Sequence, residues 1–103
     1  MSLEVTILDT NDQVIRSVGL GVDEHWELMR LATAARLPLL ERLHDYYSDS
    51  QIEVRELPAF LQEVRALGSR DCLSPRLRQI LDDLAQVTEC AMSEMRVLTV
   101  LAD

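Results

Sequence analysis

Two histidines are the side chains of this chain best suited to acid–base chemistry. His25 and His44 lie in different predicted helices, and Asp45 directly follows His44. Neighbouring helical positions point about 100° apart, so Asp45 is poorly placed to orient His44 as a catalytic base. The sequence has no nucleophile elbow, no glycine-rich phosphate loop and no His-Glu-x-x-His. It therefore predicts structural or surface histidines, no catalytic residue and a protein that is not an enzyme.

Carboxylates spaced by four are the second arrangement with possible chemistry. In a continuous helix Asp45, Asp49 and Glu53 would line one face and could hold a divalent cation. Ser48 and Ser50 indicate that the helix ends before such a face forms, and the spacing lacks the glycine of a calcium loop. The sequence favours a solvated acidic rim, with no metal and no cofactor.

The same stretch also carries aromatic side chains. Between 41 and 56 there are five carboxylates and two arginines, and Tyr46 and Tyr47 stand side by side. Tyrosine supplies a large, stiff contact area and a hydroxyl, which is typical of binding hot spots. The alternative without a binding role is one tyrosine in the core and one on the surface. Trp26 could equally lie at the edge of the hydrophobic core. The predicted partner-binding residues are Asp45, Tyr46, Tyr47, Asp49, Glu53 and Trp26.

The elements that position these residues begin with a hairpin over 3–20. Leu3, Val5 and Ile7 alternate with polar residues, which is the period of a strand, and a turn cluster follows. Asp23 is the expected N-cap of a helix over about 24–36, since Asp accepts bonds from first-turn amides. Pro38 opens the next helix, which we expect to run to the serines near position 50.

The second half of the chain reads as helices followed by a strand. Residues 51–55 are either extended or a single turn, and a helix near 57–67 follows between Pro58 and Gly68. A long apolar stripe predicts a helix over 75–95, and the β-branched run at 97–101 predicts a strand. The expected fold is α+β: a three-stranded sheet, made of the N-terminal hairpin and the C-terminal strand, covered by about four helices.

Length, charge and composition limit the class of protein and the kinds of partner that such a domain can have. The 103 residues predict a single α+β domain over 1–103, and the net charge of −8 disfavours nucleic acid as a partner. No apolar run is long enough for a membrane span, and no basic leader precedes the first strand, so we expect a cytoplasmic protein. All ten basic residues are arginines, which we interpret as a bacterial, GC-rich codon bias. Cys72 and Cys90 match no metal spacing and are expected to be reduced.

The stretches 38–43, 45–49 and 57–64 resemble a group of small acidic bacterial proteins. In that group a helix ends in an aromatic and acidic turn and a leucine-rich helix follows. The Ala102-Asp103 ending is also similar, although the group's terminal Gly-Asp is Ala-Asp here. The resemblance implies an immunity protein of a polymorphic toxin: a monomer or weak homodimer that binds a protein partner with a basic surface. The alternative is a structural or regulatory module that self-associates through the helix over 75–95 or an open sheet edge.

Overall fold

The computed structural model describes residues 3–44 and 49–102. Its first two strands have alternating apolar residues and pair with each other. Strand β1 (Leu3–Leu8) is antiparallel to β2 (Val14–Leu20), with Val5 opposite Val18. Asp9 closes the turn, because its carboxylate accepts the amides of Asn11 and Gln13 at 2.8 and 2.9 Å. The predicted hairpin is therefore confirmed, with a bulge where its register shifts between Ile7 and Leu8.

In the described residues the sheet has four antiparallel strands, one more than the three expected. Strand β4 (Leu98–Ala102) pairs with β1, and β3 (Ser50–Ile52) adds to the free side of β4, giving the order β2-β1-β4-β3. The strand β3 has three residues, too few for an alternating pattern, and its partner lies more than 40 positions further along the chain. The strand expected at 97–101 is confirmed, displaced by one residue.

The described residues form four α-helices, which cover one face of this sheet. They are α1 (Val22–Ala35), α2 (Pro38–Glu41), α3 (Leu57–Gly68) and α4 (Pro75–Glu94), and a single 3₁₀ turn, Val54–Glu56, precedes α3. Inward residues of β1 and β4, among them Val5 and Val100, are buried beneath the helices, whereas Glu4 and Gln51 on the opposite face are exposed. The α+β class and the helix count are as expected from the change of apolar period.

The start of α1 differs from the prediction. Its N-cap is Gly21 rather than Asp23, and Asp23 lies inside the first turn. An anion is still favourable there, because the amides of a helix N-terminus carry partial positive charge. Sequence reasoning thus found the acidic first turn but placed the helix boundary two residues too late.

Helix α2 is much shorter than expected, since it ends at Glu41. The amides of Leu43 and His44 bond the carbonyls of Leu40 and Glu41, three residues back, so the chain tightens after α2. The Leu43 carbonyl lies 2.6 Å from Nε2 of the His25 ring, a contact between residues 18 positions apart that the local sequence does not reveal.

Buried leucines and polar caps fix the helices against one another. Phe60, Leu77 and Leu84 are fully buried in one apolar core. Glu63 on α3 accepts the amides of Leu39 and Leu40 at the start of α2, at 3.3 and 2.9 Å. These bonds supply partners for amides that have none within a helix.

The long helix α4 begins as predicted. Ser74 is its N-cap and accepts the Leu77 amide at 3.2 Å, and Pro75 occupies the first helical position. Glu27 of α1 in turn accepts the Ser74 hydroxyl at 2.7 Å. The stripe that could have formed a seam between two copies is buried within this one chain. Packing against the sheet and α3 therefore uses the apolar face of α4.

Candidate partner-binding site

Three of the six predicted binding residues fall outside the part of the chain that the structure describes. These are Asp45, Tyr46 and Tyr47. The other three lie on separate elements: Trp26 on α1, Asp49 directly before β3, and Glu53 directly before the 3₁₀ turn.

Trp26 is the most exposed aromatic side chain of the described residues. Its relative exposure is 66 %, and Val22, one helical turn earlier, is 60 % exposed. The Arg30 guanidinium, one turn later, lies 5.7 Å from the centre of the indole ring. We call Val22, Trp26 and Arg30 the Trp26 surface. This arrangement excludes the alternative that Trp26 is a core edge, because it points away from buried Leu28.

Asp49 has a structural contact at the edge of the sheet. Its carboxylate accepts the Ala102 amide at 2.8 Å, joining the residue before β3 to the end of β4. The residue itself is exposed, so its carboxylate still meets solvent. A carboxylate with two oxygens has several acceptor positions, and one such bond leaves room for a cationic partner group.

Glu53 is exposed and leads into the 3₁₀ turn. Its amide donates to the Glu56 carboxylate at 3.0 Å. Arg42 also donates to Glu56, at 2.6 Å, and to the Gln51 carbonyl, at 2.8 Å. The Arg42 bond and then the Glu53 amide lower the pKa of Glu56 below its usual 4.5. Arg42 and Glu56 therefore hold the turn, and Glu53 forms a capping box with Glu56, in which the side chain of each meets the backbone of the other.

The two histidines both contact main-chain oxygens. His25 is 8 % exposed, and its Nε2 lies 2.6 Å from the Leu43 carbonyl, so this nitrogen carries the proton and donates. His44 is exposed, and its Nδ1 lies 3.1 Å from the Glu41 carbonyl. These contacts favour the structural interpretation over a catalytic one.

A cleft of about 740 Å³ runs between α3 and α4. Its floor includes Val64 and Leu81, and an ion pair between Arg65 and Glu89 joins the two helices across it. Arg78, also on the rim, donates to the Arg70 carbonyl at 2.9 Å. Arg65 is thus paired with a carboxylate within the chain, whereas Arg78 is held by neutral main-chain carbonyls.

The described residues hold neither a cluster that could bind a metal ion nor a helix that could cross a membrane. Within 3–44 and 49–102, no three His, Cys, Asp or Glu side chains come together in a way that could hold a metal ion. Of the three carboxylates spaced by four, Asp45 lies outside those residues. None of the described helices is both long and apolar enough to cross a membrane.

Sequence reasoning missed two features. One is His25 as a link between α1 and the end of α2, for which a lone histidine in a helix gives no signal. The other is the exposure of Val14 and Ile15, which are 56 % and 42 % exposed near the hairpin turn. Their β-branched character predicted a strand, and a loss of alternation at the start of β2 was the available sign that this strand is an edge.

The comparisons with known proteins give no relative. No protein-family model, no curated protein and no solved structure matches the chain.

Proposed function

We propose that this chain is a non-enzymatic binding protein, an immunity-type inhibitor that covers a basic surface on a bacterial toxin domain. The observation that carries the proposal is the 66 % exposed indole of Trp26 in a chain of net charge −8. Tryptophan is usually largely buried, and an exposed one is among the commonest anchors of protein interfaces.

The Trp26 surface supports the proposal because its main group is pre-positioned. The Arg30 guanidinium rests over the indole, at a distance where a cation is attracted to the ring face. A ring that is already held loses less rotational freedom when a partner closes over it. Helix α1 is itself fixed through Glu27 and buried Leu28.

The segment 45–48, with its two tyrosines, is proposed to extend the same interface. Its flanks are tied to the fold on both sides. Before it, the Leu43 carbonyl accepts from His25, the residue next to Trp26. After it, Asp49 accepts from the Ala102 amide. The described residues on both sides of the segment are therefore held by the fold, and Leu43 is held by a residue of α1.

Charge supports a basic partner. The chain has eighteen aspartates and glutamates but only ten arginines, so it attracts a basic surface at long range. This attraction accelerates the encounter most at low salt. Asp49 and Glu53 are exposed members of this charge near the segment 45–48. Aromatic contact would then slow dissociation once the two surfaces meet.

Recovery of the partner tests the proposal directly. The chain is used as bait in a lysate of its own host, and the protein that is recovered is produced on its own and together with the chain. We expect the partner alone to arrest bacterial growth and the chain to restore it. A partner that leaves growth unaffected, or an acidic partner, would contradict the immunity assignment.

Substitution tests the surface. Trp26→Ala should weaken binding of the purified partner by at least about 2 kcal/mol, roughly 30-fold, as expected for a buried aromatic anchor. Asp45→Asn with Asp49→Asn should lower the association rate and flatten its salt dependence. Met95→Ala is the matched control, since Met95 is 76 % exposed on another element. Equal affinity for Trp26→Ala and Met95→Ala in folded proteins would show that the Trp26 surface is not the contact.

Tyrosine variants test the extended interface. Tyr46→Ala and Tyr47→Ala should differ, because the sequence predicts one ring in the core and the other against the partner. We expect one to lower the free energy of unfolding and the other to raise only the dissociation rate of the complex. Two variants that change neither quantity would remove segment 45–48 from the interface.

Self-association is the second candidate function, and one observation favours it. Val14 and Ile15 are exposed on β2, the outer strand of the sheet. The apolar stripe of α4 no longer supports it, since that stripe is buried in the monomer. A molar mass measured by light scattering over a wide concentration range tests this candidate, and a constant monomer mass would contradict it.

A further inference from the structure

Strand β2 forms an outer edge of the sheet, and among the described residues its one strand neighbour is β1. It has seven residues, and over 16–20 it pairs with β1 residue for residue, since the bulge lies near its beginning. An edge strand presents amides and carbonyls that an extended segment can bind. The other edge, β3, has only three residues. β2 is therefore the edge that is long enough to accept another strand.

A groove of about 360 Å³ lies beside this edge, between β2 and α4. Arg16 is opposite buried Ile7 in the ladder, and Val18 is opposite buried Val5. Directly opposite residues of an antiparallel pair share a face of the sheet, so both side chains point to the helix side. The six residues that line the groove are Arg16, Ser17, Val18, Asp83, Gln86 and Val87.

The groove carries one charge of each sign, and neither has an ion partner in the described part of the chain. Arg16 has no carboxylate within ion-pair distance, and Asp83 has no cationic group within it. Asp83 accepts the side-chain amide of Gln79 at 2.9 Å, and a neutral amide leaves the carboxylate charge in place. A segment that carries a single sign would be attracted by one of these groups and repelled by the other. An occupant that neutralises both must itself carry both signs.

We propose that β2 pairs antiparallel with β2 of a second copy of this chain, about a two-fold axis through Ser17. Arg16 of each copy then faces Asp83 of the other copy, so the same contact, made twice, neutralises the charges of both grooves. A two-fold interface requires such a self-complementary surface. The inference rests on self-association, the second candidate function, and it is independent of the Trp26 surface.

The register of this pairing follows from the position of the groove. Ser17 lies at its middle on the strand, between Arg16 and Val18, so a two-fold axis there sets one groove against the other. The axis is perpendicular to the sheet, which places the α4 helices of both copies on the same face. Ile15, which is 42 % exposed, approaches Gly19 of the copy, where a Cβ would meet no heavy atom within 4 Å. The apolar contact and the ion pair therefore form in the same register.

Net charge opposes the pairing at long range, because each copy carries −8. At physiological ionic strength, interactions between exposed charges are screened beyond about 8 Å, whereas a partly buried pair is screened much less. The local ion pairs therefore act against a repulsion that salt has weakened. We expect a weak dimer, with a dissociation constant between about 10 µM and about 1 mM.

Charge reversal tests the interface. Molar mass is measured by light scattering across this concentration range at physiological salt, and the mass of wild type should rise from the monomer value towards twice that value. Arg16→Asp alone and Asp83→Arg alone should each weaken association at least about tenfold, because like charges then meet across the axis. The double variant Arg16→Asp/Asp83→Arg should restore association, since both pairs form again with their signs exchanged.

A matched control separates the groove from net charge. Arg70→Asp changes the charge as much as Arg16→Asp does, at an exposed residue before α4, and should leave association nearly unchanged. Thermal unfolding of each variant establishes that it is folded. Amide shifts of labelled wild type, recorded over the same concentrations, should change only at β2 and α4.

Each contrary result has its own meaning. A mass that stays at the monomer value would overturn this inference together with the second candidate function. A dimer that neither single reversal weakens, or that the double variant fails to restore, would overturn the interface and leave self-association in place. Equal effects of Arg16→Asp and Arg70→Asp would assign the change to net charge, and shift changes outside β2 and α4 would place the contact elsewhere; both results would overturn the proposal.

Discussion

Asp9 and Glu56 are the two residues whose ionisation is tied most clearly to local structure. The amides of Gln13 and then Asn11 lower the pKa of Asp9 below its usual 3.8, with Arg96 adding a favourable charge. Arg42 and the Glu53 amide lower that of Glu56. Each carboxylate closes a turn, one in the hairpin and one before α3. In both cases the charged form is the one that the fold binds.

These shifts predict how stability depends on pH. A carboxyl whose folded pKa is depressed stabilises the protein above its unfolded pKa, and this contribution is lost as the pH falls through the folded value. We expect the urea midpoint to be level from pH 9 to about 5 and to fall at lower pH. Asp9→Asn with Glu56→Gln should show a smaller fall over the acid range. An identical fall in wild type and variant would show that other carboxyls dominate.

Met95 is one of three non-glycine residues with positive φ in the described part of the chain, together with Asp12 and Arg36. It caps α4 in the left-handed region, with φ of 54°, and its side chain is 76 % exposed. Met95→Gly should raise the free energy of unfolding by about 0.5–1 kcal/mol, because glycine adopts this conformation without the Cβ clash. Ser93→Gly, inside the helix, is the control and should lower stability by a similar amount. Thermal unfolding of both variants checks the sign.

At the scale of single residues, sequence reasoning succeeded where the cause is local. Ser74 before Pro75 indicated an N-cap, and the cap is present. Asp23 has the same cap chemistry, but α1 begins earlier, at Val22, with Gly21 as its cap. The position of Trp26 off the leucine stripe of α1 left a core edge and an exposed site both open, and the structure shows it exposed. The contact of His25 with the Leu43 carbonyl joins residues 18 positions apart, and no local pattern encodes it.

Among the elements, α4 is where truncation of a buried side chain should reduce stability clearly. Leu84 is fully buried at its centre. Leu84→Ala should cost roughly 2–5 kcal/mol, through lost transfer energy and the cavity that remains. Ser93→Ala, on the exposed side of the same helix, should change stability by less than about 0.5 kcal/mol. Denaturant melts of both proteins provide the measurement, and equal midpoints would mean that the stripe is not core.

The elements that sequence predicted best are those with several apolar repeats. α1, α3 and α4 run over two or more turns of regular burial, and the predicted bounds agree with the structure within about two residues. α2 and β3 are short, and their contacts are tertiary: the His25 ring meets the Leu43 carbonyl after α2, and β4 pairs with β3. The stretch 51–55 was expected to be extended or a turn, and it contains parts of both.

For the whole molecule, the accessible thiols give a direct prediction. Both cysteines are free thiols in the structure, with Cys72 exposed and Cys90 half-buried. We expect a thiol reagent to label Cys72 first and Cys90 much more slowly, with label on Cys90 accelerated by urea. Mass spectrometry after partial labelling gives the order. A mass deficit of about two hydrogens that reductant removes would indicate a disulfide instead.

The α+β class of the molecule could be predicted because the apolar period changes from strand to helix and back. The order of the strands could not, since periodicity carries no information about which strands are neighbours. The candidate site divides in the same way. The position of Trp26 off the leucine stripe could be read from α1 alone, whereas the edge of β2 becomes a surface only once β1 is known to pair with β4 on its other side.

The central pair of the sheet joins the two extremes of the described chain, as Thr6 bonds the Thr99 carbonyl 93 positions away. During synthesis on the ribosome, β1 therefore cannot pair with β4 until the residues up to about 102 have emerged. The same holds for β3, because β4 is its partner in the sheet. The helices and the hairpin can form early from local contacts, but closing so long a loop is slow. Until that closure, β1 exposes a bare strand edge, and this interval is when the nascent protein is most open to aggregation and to chaperones.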